Sequence, residues 1–368
     1  MTVFSLQRTR LPWIAVACLC LAACRIEIQV PTSGVARTES GSMVCTAGQT
    51  CSVSVNDIFF DETFIAQPAD GFTFTGWSGE QRSLCGGSSE PCHLSTESFA
   101  DSEALMQILE DPDEVYYLDP VFQSEGFISL FMGHSFFRPF AEGMPFHAER
   151  AGIMRHEQAV VSSGGATGSP EALWNNTSKR NEIQAILDRG NIELFAMTYH
   201  PDYPGLTGYR NWIDYAMAQN PETRIVIALP WLTNPATVTT DEYAFRSEQI
   251  MRETYEAGID RLRQLYPETE IFGIPYGLGA VELRRLFDAG ELPDVKVLTS
   301  KTEPAIYRDG LGHADDILVE LGRLIWLRAI YGVDLNTYDY DPGYSTDLKA
   351  LAQSVLDGED PVYNALYR

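Results

Sequence analysis

Residues 127–140 read FISLFMGHSFFRPF. The run Phe127–Met132 is apolar apart from Ser129 and shows no strict alternation, the pattern of a strand buried on both faces of a parallel sheet. It stops at Gly133, and a helix-like stretch follows within a few residues. Ser135 falls on that strand-to-helix junction. Two readings compete there: a helix N-cap, a position that favours serine, or an exposed nucleophile.

The residues beyond this stretch repeat its logic. QAVVSS, IELFAMT, RIVIALP and IFGIP read as further buried parallel strands, with helices expected over 209–218, 242–265, 280–289 and 317–331. Strands alternating with helical patterns predict an α/β domain of three layers, α/β/α, over residues 123–368. In open parallel sheets the site lies beyond the carboxyl ends of the strands, which is where Ser135 stands.

A nucleophilic serine needs a base within hydrogen-bond reach and a carboxylate to orient that base. Residues 306–332, IYRDGLGHADDILVELGRLIWLRAIYG, supply both, with Asp309 and His313 sharing a glycine-rich turn ahead of a long amphipathic segment. The order Ser, Asp, His also occurs in α/β-hydrolases, but those require Gly-x-Ser-x-Gly, and here Phe137 fills the last position.

A serine after the first strand, with Asp and His close together before the C-terminal helix, resembles the SGNH (GDSL-like) hydrolases. The resemblance runs over residues 127–332 and rests on Gly133-His134-Ser135, on the Gly164-Gly165 turn after the second strand, and on Asp309 to His313. It implies a flavodoxin-like parallel sheet and ester hydrolysis by Ser135, with His313 as base and Asp309 holding it. It further implies an oxyanion hole built from the backbone N–H groups of Ser135 and of a glycine in the Gly164–Gly165 turn, together with an Asn side chain after the third strand. The chain departs from the pattern twice: three residues, not two, separate Asp309 from His313, and MTYHPDYPG after the third strand offers no such Asn. His200, with Tyr199 beside it, is the side chain available in that place.

Residues 25–122 have another texture, with short alternating runs such as RIEIQV, CSVSV and FTFTGW broken by turn residues, and predict a small all-β module. Gly71, Phe72, Phe74, Gly76, Trp77, Ser78 and Gly79 resemble the core of a bacterial repeat module found on secreted enzymes and surface proteins. Trp77 is expected in the core of that module. The close spacings of Cys45 and Cys51 and of Cys85 and Cys92 favour two local disulfides among the three possible pairings.

Residues 1–23 carry Arg8 and Arg10 and then an apolar stretch too short to span a bilayer comfortably, which reads as a secretory signal. The stretch ends Leu21-Ala22-Ala23-Cys24, which resembles a lipoprotein lipobox and implies acylation of Cys24, with the mature part starting there as module 24–122 followed by domain 123–368. Arg25 favours the outer membrane over inner-membrane retention. A formal net charge of −25 argues against nucleic acid as a partner. His134, His147, His156 and His200 show no metal-ligand spacing, so neither a metal nor a cofactor is expected. The expected partner is a small-molecule or glycan ester, with the membrane reached through the lipid anchor alone. A non-catalytic surface protein that binds glycans in the same cleft is the competing reading.

Overall fold

The computed structural model describes residues 24–360 and 363, except 32, 70 and 80. The expected signal segment, residues 1–23, lies outside the described residues.

The N-terminal module contains β1 (Cys24–Gln29), β2 (Gly34–Thr38), β3 (Val44–Cys45), β4 (Thr50–Val55), β5 (Asp61–Pro68), β6 (Phe72–Trp77) and β7 (Cys92–Ser95). A helix α1 (Glu103–Glu110) precedes β8 (Val115–Tyr117) and β9 (Pro120–Ser124). Three small sheets result, ordered β4-β1-β8, β3-β2-β5-β7 and β6-β9. Trp77 is buried in the module's core with Ile26, Ile28 and Phe64, and its indole N–H donates to the Glu90 carbonyl.

One expectation for this region is corrected. The module is not all-β, because Glu-Ala-Leu-Met-Gln-Ile-Leu-Glu is made of strong helix formers and docks Leu109 into the core. β9 continues two residues past 122, and its Ser124 pairs with Phe72 of β6. Phe72 and Phe122 belong to the same apolar cluster as Phe127 and the large C-terminal core, so the two regions share packing at this seam.

Both disulfides, Cys45–Cys51 and Cys85–Cys92, are formed. Bonds of this kind fit a compartment outside the reducing cytosol. Each closes a loop of six or seven residues, so replacing Cys45 and Cys51 together by alanine should cost the module about 2 kcal/mol. Denaturant unfolding would read that loss, and non-reducing peptide mapping that finds crossed pairs would contradict the arrangement.

The C-terminal region is an α/β unit. Its elements are β10 (Ile128–Gly133), α2 (Arg138–Arg150), β11 (Glu157–Ser162), α3 (Pro170–Asn175), α4 (Thr177–Leu187), β12 (Leu194–Thr198), α5 (Thr207–Gln219) and β13 (Arg224–Ala228). They continue with α6 (Thr240–Ile250), a π-helical turn at Met251–Glu256, α7 (Ala257–Leu265), β14 (Ile271–Ile274), α8 (Tyr276–Ala289), the short β15 (Val297–Thr299) and β16 (Ala305–Tyr307), α9 (Asp316–Tyr331) and α10 (Leu348–Asp357). The helix expected over 242–265 is therefore broken by the π turn.

The main sheet is wholly parallel and ordered β11-β10-β12-β13-β14, a doubly wound arrangement in which the first strand lies inside the second. Successive side chains of a strand face opposite ways. Phe131, Ala196, Val226 and Phe272 accordingly meet α2, α8 and α9 on one face, while Leu130, Met132, Phe195 and Ile227 meet α4, α5 and α7 on the other. Burial on both faces explains why these strands read as continuous apolar runs. None of the described helices is long and apolar enough to cross a membrane.

Candidate active site

β10 ends at Gly133, and the chain turns sharply: the N–H groups of Phe137 and Arg138 both reach the His134 carbonyl at 3.0 Å. The N-cap of α2 is Phe137, with no side-chain cap bond. Ser135 is thus not the cap. Its hydroxyl, half-buried at the carboxyl edge of the sheet, instead lies 2.9 Å from His313 Nε2.

On the far side of that ring, His313 Nδ1 lies 2.8 Å from Asp309 Oδ2. An ionised carboxylate only accepts, so Nδ1 carries the proton and Nε2 is left to accept from the serine hydroxyl. Asp309 Oδ1 takes the backbone N–H groups of Gly312 at 3.1 Å and His313 at 3.2 Å. Burial alone would raise the Asp309 pKa, but these N–H groups and the imidazole outweigh it and hold the carboxyl below its ordinary value. Gly312 sits in the turn at a φ of +101°, which a side chain would resist.

His134, the residue before Ser135, uses both ring nitrogens. Nε2–H donates to the Tyr199 carbonyl at 2.8 Å, and Nδ1 accepts from the Phe136 N–H at 3.2 Å. Burial lowers its pKa to about 4, so the ring is neutral at ordinary pH. It thereby ties the turn that carries Ser135 to the end of β12.

The loop after β11 packs against the same turn. Ser163 N–H donates to the Gly133 carbonyl at 3.1 Å. A Cβ at Gly168 would sit 2.6 Å from the Gly133 carbonyl and 2.8 Å from His134 Cα, so that position must be glycine. Gly164 and Gly165 open this loop, Gly165 with a φ of +51°. His200 follows β12, its ring edge-on to His134 at a centroid separation of 5.4 Å. Its Nδ1 accepts from the Asp202 N–H at 3.2 Å, which leaves Nε2 as the protonated donor of the neutral ring. Burial, partly offset by Asp202, lowers the His200 pKa and favours that neutral form.

Two aromatic residues at the site carried no legible signal. Phe136 stacks on Trp231 with centroids 4.8 Å apart and planes 12° from parallel, and stands edge-on to His313 at 5.1 Å. Trp231, in the loop after β13, donates from its indole nitrogen to the Gly312 carbonyl at 2.8 Å. A lone Trp after a strand end is the one available cue, and it points equally to plain core packing.

The other histidines stand apart from this group. His147 is fully buried near Tyr338 and Glu320, and His156 bonds Tyr331. Among the described residues no cluster of His, Cys, Asp and Glu converges to hold a metal ion. Cys24 is the first residue of β1, buried, with its thiol pKa raised by burial and by Glu114.

No protein-family model matches the chain, and no curated protein does. Among solved structures it is similar to a DUF4886 family protein from Bacteroides uniformis, at 14% identity and a TM-score of 0.44, over 64% of this chain and 96% of that one. It is also similar to the periplasmic domain of a lipopolysaccharide acetyltransferase from Salmonella ser. Paratyphi A, at 11% identity and a TM-score of 0.29, over 51% of this chain and 77% of that one. At these scores neither likeness bears on chemistry.

Proposed function

We propose that this chain is an exported serine ester hydrolase of the SGNH (GDSL-like) kind. The observation that carries the reading is the unbroken hydrogen-bonded line Ser135–His313–Asp309 at the carboxyl edge of a parallel sheet.

In the proposed reaction Ser135 Oγ attacks the ester carbonyl as its proton passes to His313 Nε2, and the imidazolium that forms is stabilised by Asp309. The charge that develops on the carbonyl oxygen needs preorganised donors. The backbone N–H groups of Ser135 and Gly165, on the loop that Gly164 opens, are assigned to it, with His200 Nε2–H in place of the missing Asn. His313 then returns the proton to the departing alcohol, leaving an acyl-serine. Water attacks that acyl group with His313 again as base, releasing the acid and restoring the serine hydroxyl.

The substrate class assigned is an acyl ester on a small molecule or a glycan. Lipid anchoring at Cys24 and residence at the outer membrane belong to the same proposal, supported by the sequence before β1. Because Cys24 opens β1 directly, an acyl anchor there would hold the module close to the bilayer.

A fluorophosphonate probe, which reacts with activated serines, tests the reading without knowledge of the substrate. Labelling mapped by mass spectrometry to Ser135 and abolished in His313→Ala is the expected result. Intact protein that stays unlabelled while a known serine esterase in the same tube reacts would sink it, and would favour a glycan-binding role for the cleft.

A further inference from the structure

We propose that Trp231 is a positioning residue that sets the distance between Ser135 and His313, by holding the residue after the nucleophile and the residue before the base on one indole. The proposal rests on reading Ser135 as the nucleophile. Phe136, next to Ser135, lies flat on the indole, and the carbonyl of Gly312, next to His313, accepts its N–H. No backbone bond between the nucleophile turn and the Asp309–His313 loop duplicates this tie among the described hydrogen bonds.

The two sides differ in how firmly they are held without Trp231. The nucleophile turn is braced by His134 and by Tyr276, whose buried hydroxyl donates to the Phe136 carbonyl at 2.8 Å. The base-bearing loop is closed mainly on itself, by the Asp309 Oδ1 bonds to the Gly312 and His313 N–H groups and by the Arg308 N–H bond to the His313 carbonyl at 2.9 Å, with Leu311 half-exposed between two glycines. Its ties to the loop after β13 are the Trp231 bond and the Asn234 N–H to the Leu311 carbonyl at 2.9 Å.

Trp231 itself is fixed. Phe140 and Tyr276 stand edge-on to the indole at 5.8 Å each. The main chain just before the indole packs closely on α8: a Cβ at Gly277 would lie 2.7 Å from the Trp231 backbone nitrogen. The loop continues into Pro235, which covers Gly312 and whose carbonyl is bound by the buried Arg284. A packed platform thus carries a donor aimed at a loop otherwise closed on itself, which is the arrangement a positioning role requires.

The sharpest test replaces Trp231 by 3-benzothienylalanine, which keeps the shape and the stack on Phe136 and exchanges the N–H for sulfur. Trp231→Phe is the cruder companion. The expected result for both is a fall in kcat of about 10-fold or more, with KM on a short activated ester changed less than about twofold, because a small misplacement of a reacting group acts on the chemical step. Fluorophosphonate labelling should slow by the same factor. In a His313→Ala background the substitution should leave the small residual ester turnover unchanged, since the effect passes through the imidazole.

The proton on His313 Nδ1, assigned in the NMR spectrum by its loss in His313→Gln, reads the loop without any turnover. It should exchange faster with solvent in the benzothienyl variant. Wild-type kcat together with unchanged exchange in that variant would overturn the proposal. If the wild-type chain neither labels nor turns over ester, the hydrolase reading falls, and unchanged proton exchange would separately remove the claim that Trp231 holds the loop.

Discussion

Ser135→Ala should abolish ester turnover, with a loss on the order of 10⁴-fold or more, and His313→Ala should cost about as much. The double variant should be little worse than either single one, because a nucleophile without its base and a base without its nucleophile fail in the same step. Folding should be spared. Ser135 caps no helix, as α2 begins at Phe137 without a side-chain cap, and its hydroxyl bond runs to a half-buried imidazole. Melting temperatures within a few degrees of wild type, measured beside kcat on a short activated ester, make the loss chemical. A helix cap would give the opposite outcome, a stability loss of about 1 kcal/mol with turnover intact.

The second large effect is on acid stability and comes from His134. Its folded pKa is about 4, depressed by burial despite the bond to Tyr199, whereas an imidazole in the unfolded chain titrates near 6.5. The sign follows from which state takes the proton. Above about pH 6.5 both states are neutral and the contribution is fully present; as the pH falls toward 4 the unfolded chain binds a proton that the folded chain refuses. Stability should therefore decline by about 1.4 kcal/mol per pH unit in that window, roughly 3 kcal/mol in all. Protonation would also remove the Nδ1 acceptor from the Phe136 N–H, so the nucleophile turn loosens as the fold weakens. Urea unfolding of wild type and His134→Asn at pH 7, 5.5 and 4.5 measures the difference. The variant, which cannot titrate there, should show a dependence flatter by about 2 kcal/mol between pH 7 and 4.5, and parallel curves would refute the assignment.

Much of this architecture is legible in the chain. The apolar runs at β10, β12, β13 and β14 announce strands covered on both faces, and Gly133-His134-Ser135 lies where the first of them ends. The two cysteine pairs are read from spacing because a loop of six or seven residues closes locally whatever surrounds it. Asp309 and His313 are legible as a pair for a similar reason: a four-residue separation on a glycine-rich turn lets a carboxylate reach the ring beside it.

Other features escape a linear reading. α1 lies in a region dominated by Thr, Ser and Val, and the seam at β9 is defined by Phe72 and Phe122 entering a core built mostly of later residues. The helix over 240–265 is broken at Met251–Glu256 although its side-chain pattern is continuous.

By itself the sequence determined the class of fold, the covalent staples and the identities of the three residues that form the hydrogen-bonded line, since periodicity, loop closure and residue chemistry are all local properties. Tertiary structure alone decided that Ser135, His313 and Asp309 meet, across 178 residues of chain between serine and histidine. It also decided that His134 is a neutral buried strut and that Trp231 joins both halves of the site. The physical reason is that hydrogen-bond geometry and desolvation depend on which distant segments are packed side by side, and the order of strands in the sheet sets that packing.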